Sequence, residues 1–266
     1  MWFCGVRAMR ATFAVMRVEL LRHLTTPAFY LLLFFLSLTS GYFLLVLIRG
    51  FIELTLQFGA NPEAVNLHFH ERIIAPLILS VENIFLLVIP LITMRSIAGE
   101  RSQGSFEFVA SSRLRPWQYV LGKSLAMDVL VFLLILPVAF QGMLLRINAE
   151  QGSAFDTPGF LLSLVGLFLL GRSFAGLGLA VSAMTRSPAL AAGATFFLLL
   201  LAWVLASAGG GDGFLAQILP QLSPLTRLEN FAIGRFVVAD LLFFLVVMVA
   251  TFILATRAVD AHRWQG

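Results

Sequence analysis

Three ionisable residues, Glu82, Asp128 and Arg172, lie inside long apolar stretches of the sequence. A charge in the hydrocarbon layer of a membrane is costly, so such a residue usually faces protein or a water-filled path. A helix rises about 1.5 Å per residue, which places Asp128 and Arg172 at similar depths and Glu82 nearer the opposite surface. The sequence therefore predicts an Asp128–Arg172 ion pair, which either lines a polar path or only holds two helices together.

The segment Gly171-Arg172-Ser173 also resembles the Gly-x-Ser nucleophile segment of the rhomboid proteases, which are six-helix intramembrane serine proteases. Such a serine needs a histidine base within hydrogen-bond reach. The histidines all lie outside the apolar stretches, at His23, His68, His70 and His262. Intramembrane proteolysis is therefore an alternative function that the sequence disfavours, and no catalytic residue is predicted.

A second kind of chemistry, metal binding, is suggested by His68, His70 and Glu71, because imidazole and carboxylate groups bind divalent ions. Two histidines two positions apart share a face on a strand but not on a helix. The sequence also lacks the further histidine that follows His-Glu in a zinc-protease helix. We interpret the three residues as part of a polar surface and predict no metal site.

The segment Gly122-Lys123-Ser124 has the last three letters of a phosphate-binding loop. That loop requires a glycine five positions before its second glycine, and Trp117 stands there. Lys123 is interpreted instead as a cytoplasmic anchor. We predict that the chain is not itself an enzyme, binds no cofactor and has no nucleic-acid partner.

The elements that must position these residues are membrane helices. Of the 266 residues, 59% are hydrophobic and 12% are charged, whereas soluble domains are about 25% charged. A helix needs about 20 apolar residues to cross the hydrocarbon layer. The sequence therefore predicts an all-α polytopic protein, a single domain over residues 1–266 in contact with lipid. Its six predicted spans are 28–48, 76–94, 119–145, 160–184, 189–207 and 236–255.

Two shorter helices are predicted outside these spans. Over residues 11–25, Phe13 and Leu20 gather on one side of a helix, and Glu19 and Arg22 lie opposite. Such an amphipathic helix either lies in the headgroup plane or contacts a partner. Residues 222–233 predict another short helix before the last span. Within the fourth span, small residues at helical spacing predict a packed inner helix.

Arginine and lysine are distributed unevenly between the links that join the spans. Twelve fall on the side of the chain termini and five on the other side. Cytoplasmic links carry an excess of these residues. The sequence therefore predicts that both termini are cytoplasmic.

The link between the second and third spans carries a recognisable pattern. It reads Glu100-Arg101-Ser-Gln-Gly104-Ser105-Phe-Glu107, and Gly122-Lys123 follows at the start of the third span. This pattern resembles the Glu-Arg-x-x-Gly-Ser/Thr-x-Glu signature of ABC-2 type permeases. Thr26-Pro27 before the first span and residues 222–234 before the last span are also similar to that family. The group with the greatest likeness is the gliding-motility-type permeases, together with those that serve nitrous-oxide reductase maturation.

The resemblance implies an export-type permease in a bacterial cytoplasmic (inner) membrane. It implies two separate ATPase subunits that bind ATP and Mg, and a second permease copy or paralogue. A non-transporting membrane anchor of a surface machine is an alternative that uses the same residues.

We further expect the link from Glu100 to Ser112 to transmit ATP hydrolysis to the membrane. In this interpretation Gly104 makes a sharp turn, Ser105 caps a short helix and the aromatic side chains are exposed to a partner. The alternative is a basic loop that only fixes topology. The predicted coupling residues are Glu100, Arg101, Gly104, Ser105, Phe106, Glu107 and Phe108.

Overall fold

A computed structural model describes residues 2–58, 69–106, 114–148, 155–207 and 218–263, with side chains from residue 9 to residue 262 of these ranges. Most residues of these ranges are helical, and the ranges contain no strand. Six helices are long and apolar enough to cross a membrane. The predicted all-α architecture is therefore confirmed.

The helices differ from the predicted segments mainly in length. For example, α2 continues ten residues past the predicted end of the first span, and α1 begins at Trp2 rather than at residue 11. A π-helical turn, His70–Ile74, leads into α3, and a 3-10 turn, Pro220–Leu222, precedes α8. The helices are α1 (Trp2–Leu24), α2 (Pro27–Phe58), α3 (Ala75–Thr93), α4 (Ala98–Ser102), α5 (Pro116–Asn148), α6 (Thr157–Met184), α7 (Pro188–Ser207), α8 (Pro224–Ala232) and α9 (Val238–Arg263).

Proline marks the starts of several helices. Proline fixes φ near its helical value and lacks the N–H group that a first turn leaves unsatisfied, so it favours a helix start. The links before α2 and α7 are only two and three residues long. Helices α2, α5, α7 and α8 begin at Pro27, Pro116, Pro188 and Pro224.

Helix α6 lies at the centre of the bundle and packs against α3, α5, α7, α8 and α9. Its glycines allow the close approach. A Cβ added at Gly171 would lie 2.7 Å from Val131 of α5, and one at Gly176 would lie 2.6 Å from Thr251 of α9. Small residues let membrane helices approach in this way. The prediction that the fourth span is a packed inner helix is confirmed.

The outer helices expose large apolar side chains. Phe34 of α2, Phe197 of α7 and Val246 of α9 are each about two-thirds exposed. In a chain that spans a membrane, such side chains face lipid rather than water. The bundle is therefore covered by an apolar surface and carries its polar contacts inside and at its ends.

Helix α1 packs along the first turns of α5 with its polar side inward. Thr12 and Glu19 are buried, whereas Phe13 is 56% exposed and Leu21 is 50% exposed. The two backbones are close, because a Cβ at Gly122 of α5 would lie 2.7 Å from the Thr12 carbonyl oxygen. An amphipathic helix that directs its apolar side outward fits the surface of a membrane.

Candidate functional site

A buried group of charged side chains lies at one end of the bundle, which we call the terminal end because α1, α4 and the last turns of α9 meet there. Its centre is Lys123, whose side chain is only 1% exposed. The Lys123 ammonium donates to Glu19 Oε2 at 2.7 Å, to Glu100 Oε1 at 2.6 Å and to the Ser96 carbonyl oxygen at 2.6 Å. All three ammonium protons therefore have an acceptor.

Four parts of the fold bring this group together. Glu19 comes from α1, Ser96 from the turn after α3, Glu100 from α4, and Tyr119 and Lys123 from the start of α5. We call these five residues the Lys123 cluster. Lys123 is thus held inside the protein by side chains of other helices, and its role as a cytoplasmic anchor stays a prediction. The neighbouring glycine at the start of α5 explains why α1 can approach closely enough to cover the ammonium.

Glu19 is held in its charged form by this environment. Ser96 Oγ donates to Glu19 Oε1 at 2.7 Å. Burial by itself raises the pKa of Glu19, but the charge of Lys123, the contact with His23 and the hydrogen bonds that Lys123 and Ser96 donate outweigh burial and lower the pKa from 4.5 to about 2. At neutral pH the cluster therefore contains a buried carboxylate paired with a buried ammonium.

Glu100 and Arg101, the first two residues of the signature pattern, both have partners inside the chain. Glu100 accepts hydrogen bonds from Lys123 and from the Tyr119 hydroxyl. Arg101 Nη1 donates to the carbonyl oxygens of Ala183 and Thr185 at 3.0 and 3.2 Å. The short helix α4 is thus bonded to the start of α5 through one residue and to the end of α6 through the next.

The backbone of α4 has a further bond to α6. Ser182 Oγ accepts from the backbone N–H groups of Ile97 and Ala98 at 3.1 and 3.0 Å. These donors belong to the first turn of a helix, which has no partners within the helix itself. A serine of α6 therefore caps α4 from a neighbouring element, which no local sequence pattern would predict.

The turn after α4 agrees with only part of the prediction. Gly104 has a φ of +73°, which confirms the expected sharp turn and favours glycine. Ser105 Oγ donates to the Glu100 carbonyl oxygen at 3.1 Å and so closes the turn backward. Glu107 and Phe108, as well as any helix that Ser105 would cap beyond Phe106, lie outside the described residues.

The expectation that Phe106 offers exposed apolar area is wrong. Its side chain is 8% exposed and its ring centroid lies 6.2 Å from that of Tyr119 in an edge-to-face arrangement. The Arg101 guanidinium carbon lies 5.9 Å from the same ring centroid. The apolar wall formed by α5, α6 and α9 at this end supplies a core for the aromatic ring. Phe106 therefore fixes the turn to the bundle.

The predicted pair of intramembrane charges is present. Arg172 of α6 forms an ion pair with Asp128 of α5 through its Nε, and its Nη2 donates to Ser124 Oγ. The two charged side chains are 15% and 24% exposed, so the pair is mostly buried. It lies one helix turn further along α5 than Lys123. Two consecutive charged contacts therefore join α5 to α1 and to α6.

Glu82 of α3 lies apart from these contacts. It is 7% exposed, and among the described residues its Oε2 has no hydrogen-bond partner. Glu82 interacts electrostatically with Glu229 of α8, which is also acidic. The structure therefore does not bring Glu82 together with Asp128 and Arg172.

The described part of the chain does not place Ser173 for proteolysis, the alternative function. Ser173 Oγ donates to the Leu169 carbonyl oxygen of its own helix at 2.9 Å. His70 lies beside a different serine, Ser163, and its Nε2 is 2.9 Å from the Ala232 carbonyl oxygen. A carbonyl only accepts, so this nitrogen carries a proton and cannot act as a base toward Ser163.

The candidate metal ligands are His68, His70 and Glu71. His68 lies outside the described residues, and Glu71 is exposed. Within the described ranges, no three residues among His, Cys, Asp and Glu are placed to hold a metal ion.

Sequence reasoning missed Glu19, Ser96 and Tyr119 as members of one site and did not connect Lys123 with them. A signal did exist for two of them. Glu19 is an acidic residue on a helix rich in arginine, and Lys123 follows a glycine at the start of a span. Each sequence feature is ordinary alone. Their partnership depends on contacts across 104 positions of the chain.

Comparison with known protein families gives one match. A family model described as an ABC-2 family transporter protein matches residues 71–258, well over half of the chain. The matched range holds Glu100, Lys123, Asp128 and Arg172, while Glu19 lies before it. No curated protein matches the chain significantly.

Proposed function

Because the chain belongs to the ABC-2 transporter family, we propose that it is the permease subunit of an ATP-driven exporter in a bacterial cytoplasmic membrane. ATP and Mg bind to two separate ATPase subunits in this proposal, and the chain itself has no enzymatic activity or cofactor. It forms the translocation path together with a second permease copy or paralogue. The observation that carries the proposal is the Lys123 cluster, which joins α4 to the membrane helices.

The terminal end of the bundle faces the cytoplasm in this proposal. The support is the distribution of arginine and lysine, with twelve residues on the side of the termini and five on the other. Cytoplasmic links are enriched in these residues. The ATPase subunits therefore approach the end that contains α1, α4 and the Lys123 cluster.

The proposed coupling route starts at the exposed edge of α4. Ser102, Gln103 and Gly104 are exposed there, so they replace Phe106 as the surface for an ATPase subunit. A displacement of α4 acts directly on Lys123 through Glu100 and on the end of α6 through Arg101. Hydrogen bonds between charged groups are about twice as strong as neutral ones. A displacement of α4 is therefore transmitted to α5 and α6 and to α1.

The proposed path follows α3. This helix is buried between α2 and α7 except for one narrow stripe, which contains Asn83, Leu87 and Leu91. The spacing of these residues places them on one face of the helix. Such a stripe suits either the wall of a path or the contact with the second permease, and Asn83 gives it a polar position.

We assign the chain to the gliding-motility-type permeases or to those that serve nitrous-oxide reductase maturation. The support is the signature pattern from Glu100 to Glu107 and the segment before the last span, part of which forms α8. A non-transporting anchor of a surface machine shares these features. It differs in requiring no ATP-dependent movement of a substrate.

Co-purification followed by an activity assay tests the proposal. The tagged chain is purified from native membranes, and a stoichiometric nucleotide-binding subunit is expected with it. Gln103→Trp should weaken that association, because the exposed edge of α4 is altered. Glu100→Ala should retain the subunit but lower the ATPase response to the permease.

Arg17→Gln is the matched control, since Arg17 is an exposed residue on α1 away from this edge. It should leave both properties unchanged. Equal ATPase binding and equal permease-linked hydrolysis in all three variants would reject the coupling role. A permease that retains its partners but shows no ATP-dependent transport would instead identify the anchor.

A further inference from the structure

A cavity of about 540 Å³ opens beside the Lys123 cluster, between the end of α1, the start of α2, the end of α3 and α4. Basic and apolar side chains line it, together with Ser102 and Gln103 on the exposed edge of α4, and the cavity reaches the start of α7. The basic members are Arg22, His23 and Arg95, and the apolar members include Phe29, Leu32 and Leu91.

The basic side chains of the cavity have N–H donors that the protein itself does not use. Arg22 Nη1 lies 3.6 Å from Glu100 Oε1, an oxygen that already accepts from Lys123 at 2.6 Å. A guanidinium has five N–H donors, so this long contact leaves most of them available. Gly99 makes room for the group, because a Cβ there would lie 3.1 Å from Arg22 Nη2.

The other two basic residues differ in their surroundings. His23 Nε2 is 3.5 Å from Glu19 Oε1 and is covered by protein, so this nitrogen is directed at Glu19 rather than at the cavity. Arg95 is exposed and has no ion pair among the residues that the structure describes. Around the cavity, the three permanent cations are Arg22, Arg95 and Lys123, against the two carboxylates of Glu19 and Glu100. The local charge is therefore positive.

The apolar part continues this surface into the membrane. Phe29 and Leu32 belong to the first turns of α2, just inside the break between α1 and α2. Leu91 lies near the end of α3 and is 38% exposed. A ligand that fills both parts must carry an anionic group joined to an apolar chain. Basic pockets between membrane helices on the cytoplasmic side recognise such lipid headgroups.

We propose that this cavity is a binding site for the phosphate group of an anionic phospholipid of the inner leaflet. Arg95 and Arg22 bind the phosphate oxygens, and an acyl chain lies against Phe29 and Leu32. The assignment to the inner leaflet rests on the proposed orientation of the terminal end, and Ser102 and Gln103 of the proposed ATPase surface also line the cavity. Lipid binding is therefore measured on the purified chain without ATPase subunits. Because the same cations would also accept a soluble phosphate ester, the test separates the two sources.

The test measures lipid binding to the purified full chain in detergent by native mass spectrometry. Dioleoyl phosphatidylglycerol, dioleoyl phosphatidylcholine and glycerol phosphate are the probes. Phosphatidylglycerol should bind about tenfold more tightly than phosphatidylcholine, and Arg95→Gln should weaken it about fivefold, as expected for one cation near a phosphate. Arg95 has no described ion pair to lose, so the variant should fold.

Two further variants sharpen the result. Arg17→Gln removes the same charge from the same end of the chain but outside the cavity, and binding should stay within about twofold of the unchanged chain. Leu32→Trp fills the apolar part, so it should weaken phosphatidylglycerol while leaving glycerol phosphate unaffected. Tight binding of glycerol phosphate that Arg95→Gln abolishes would also support the phosphate site and would make the ligand soluble. Equal affinity for the two lipids, or equal losses in Arg95→Gln and Arg17→Gln, would overturn the proposal.

Discussion

At the scale of single residues, the buried Lys123 ammonium requires acidic and hydrogen-bonding partners. An ammonium inside a protein is tolerated only when opposite charge and hydrogen bonds replace its lost water. Lys123 has Glu19, Glu100 and the Ser96 carbonyl for this purpose. Removing one charged partner would leave the others uncompensated, so these residues behave as one unit rather than as independent contacts.

Glu19 gives this unit a dependence on pH. Its pKa is about 2 in the folded chain against an ordinary value of 4.5. The stabilisation is therefore complete above about pH 4.5 and is lost as the pH falls toward 2, because the unfolded chain then binds a proton more readily. We expect a loss of about 3 kcal/mol over this range. Unfolding of the detergent-solubilised chain between pH 6 and about pH 2 would measure it.

The matched variant is Glu19→Gln, which cannot titrate. Its unfolding free energy should be lower at neutral pH, and the difference from the unchanged chain should shrink as the solution is acidified. A difference that stays constant with pH would show that the Glu19 charge contributes nothing to folding.

The Arg172–Asp128 pair predicts strong thermodynamic coupling. Because both side chains are mostly buried, Arg172→Met and Asp128→Asn should each cost about 3 kcal/mol, since each leaves one unpaired charge. The double variant should cost less than the sum, with a coupling of more than about 1 kcal/mol. A double-mutant cycle on unfolding in detergent gives this number. Arg172 with Glu82 is the control pair and should be additive, as these residues do not meet.

At the scale of helices, the sequence was sufficient to predict the six spans, because each span is a run of apolar residues. It was also sufficient for the inner position of α6, since glycines at helical spacing permit close packing. The Arg172–Asp128 pair followed from depth alone. The burial of Phe106 did not, because the wall that covers it combines the start of α5 with parts of α6 and α9 that are distant in sequence.

The packing of α1 on α5 depends on Gly122. A Cβ at this position would lie 2.7 Å from the Thr12 carbonyl oxygen and 2.8 Å from Val15 Cβ, so Gly122→Ala should push α1 away. We expect a loss of about 1–3 kcal/mol, as for other overpacked sites. Thermal unfolding in detergent would record it as a lower midpoint.

Gly193→Ala in α7 is the matched control, because a Cβ there has no neighbour within 4 Å. Alanine is the better helix former of the two residues, so this variant should unfold at the same temperature or slightly higher. A Gly122→Ala chain as stable as Gly193→Ala would mean that α1 is not held against α5.

At the scale of the whole molecule, the proposed orientation in the membrane is open to direct test. Cysteines are placed at Gln103, exposed after α4, and at Leu222, which is 59% exposed at the other end of the bundle. In a Cys4→Ser background, an impermeant maleimide should label the Leu222→Cys chain in spheroplasts. It should label the Gln103→Cys chain only after the membrane is opened. Labelling of both chains in intact spheroplasts would contradict the six-span orientation.

The distance along the chain between Glu19 and Lys123 has a consequence for biosynthesis. The two residues are 104 positions apart, and a ribosome adds about 5–20 residues per second, so roughly 5 to 20 seconds separate their appearance. During that interval the first helix must wait at the membrane surface with its carboxylate in contact with water. Insertion of the third span then brings the Lys123 ammonium that draws this helix into place. The Glu19–Lys123 contact can therefore form only after that span has entered the bilayer.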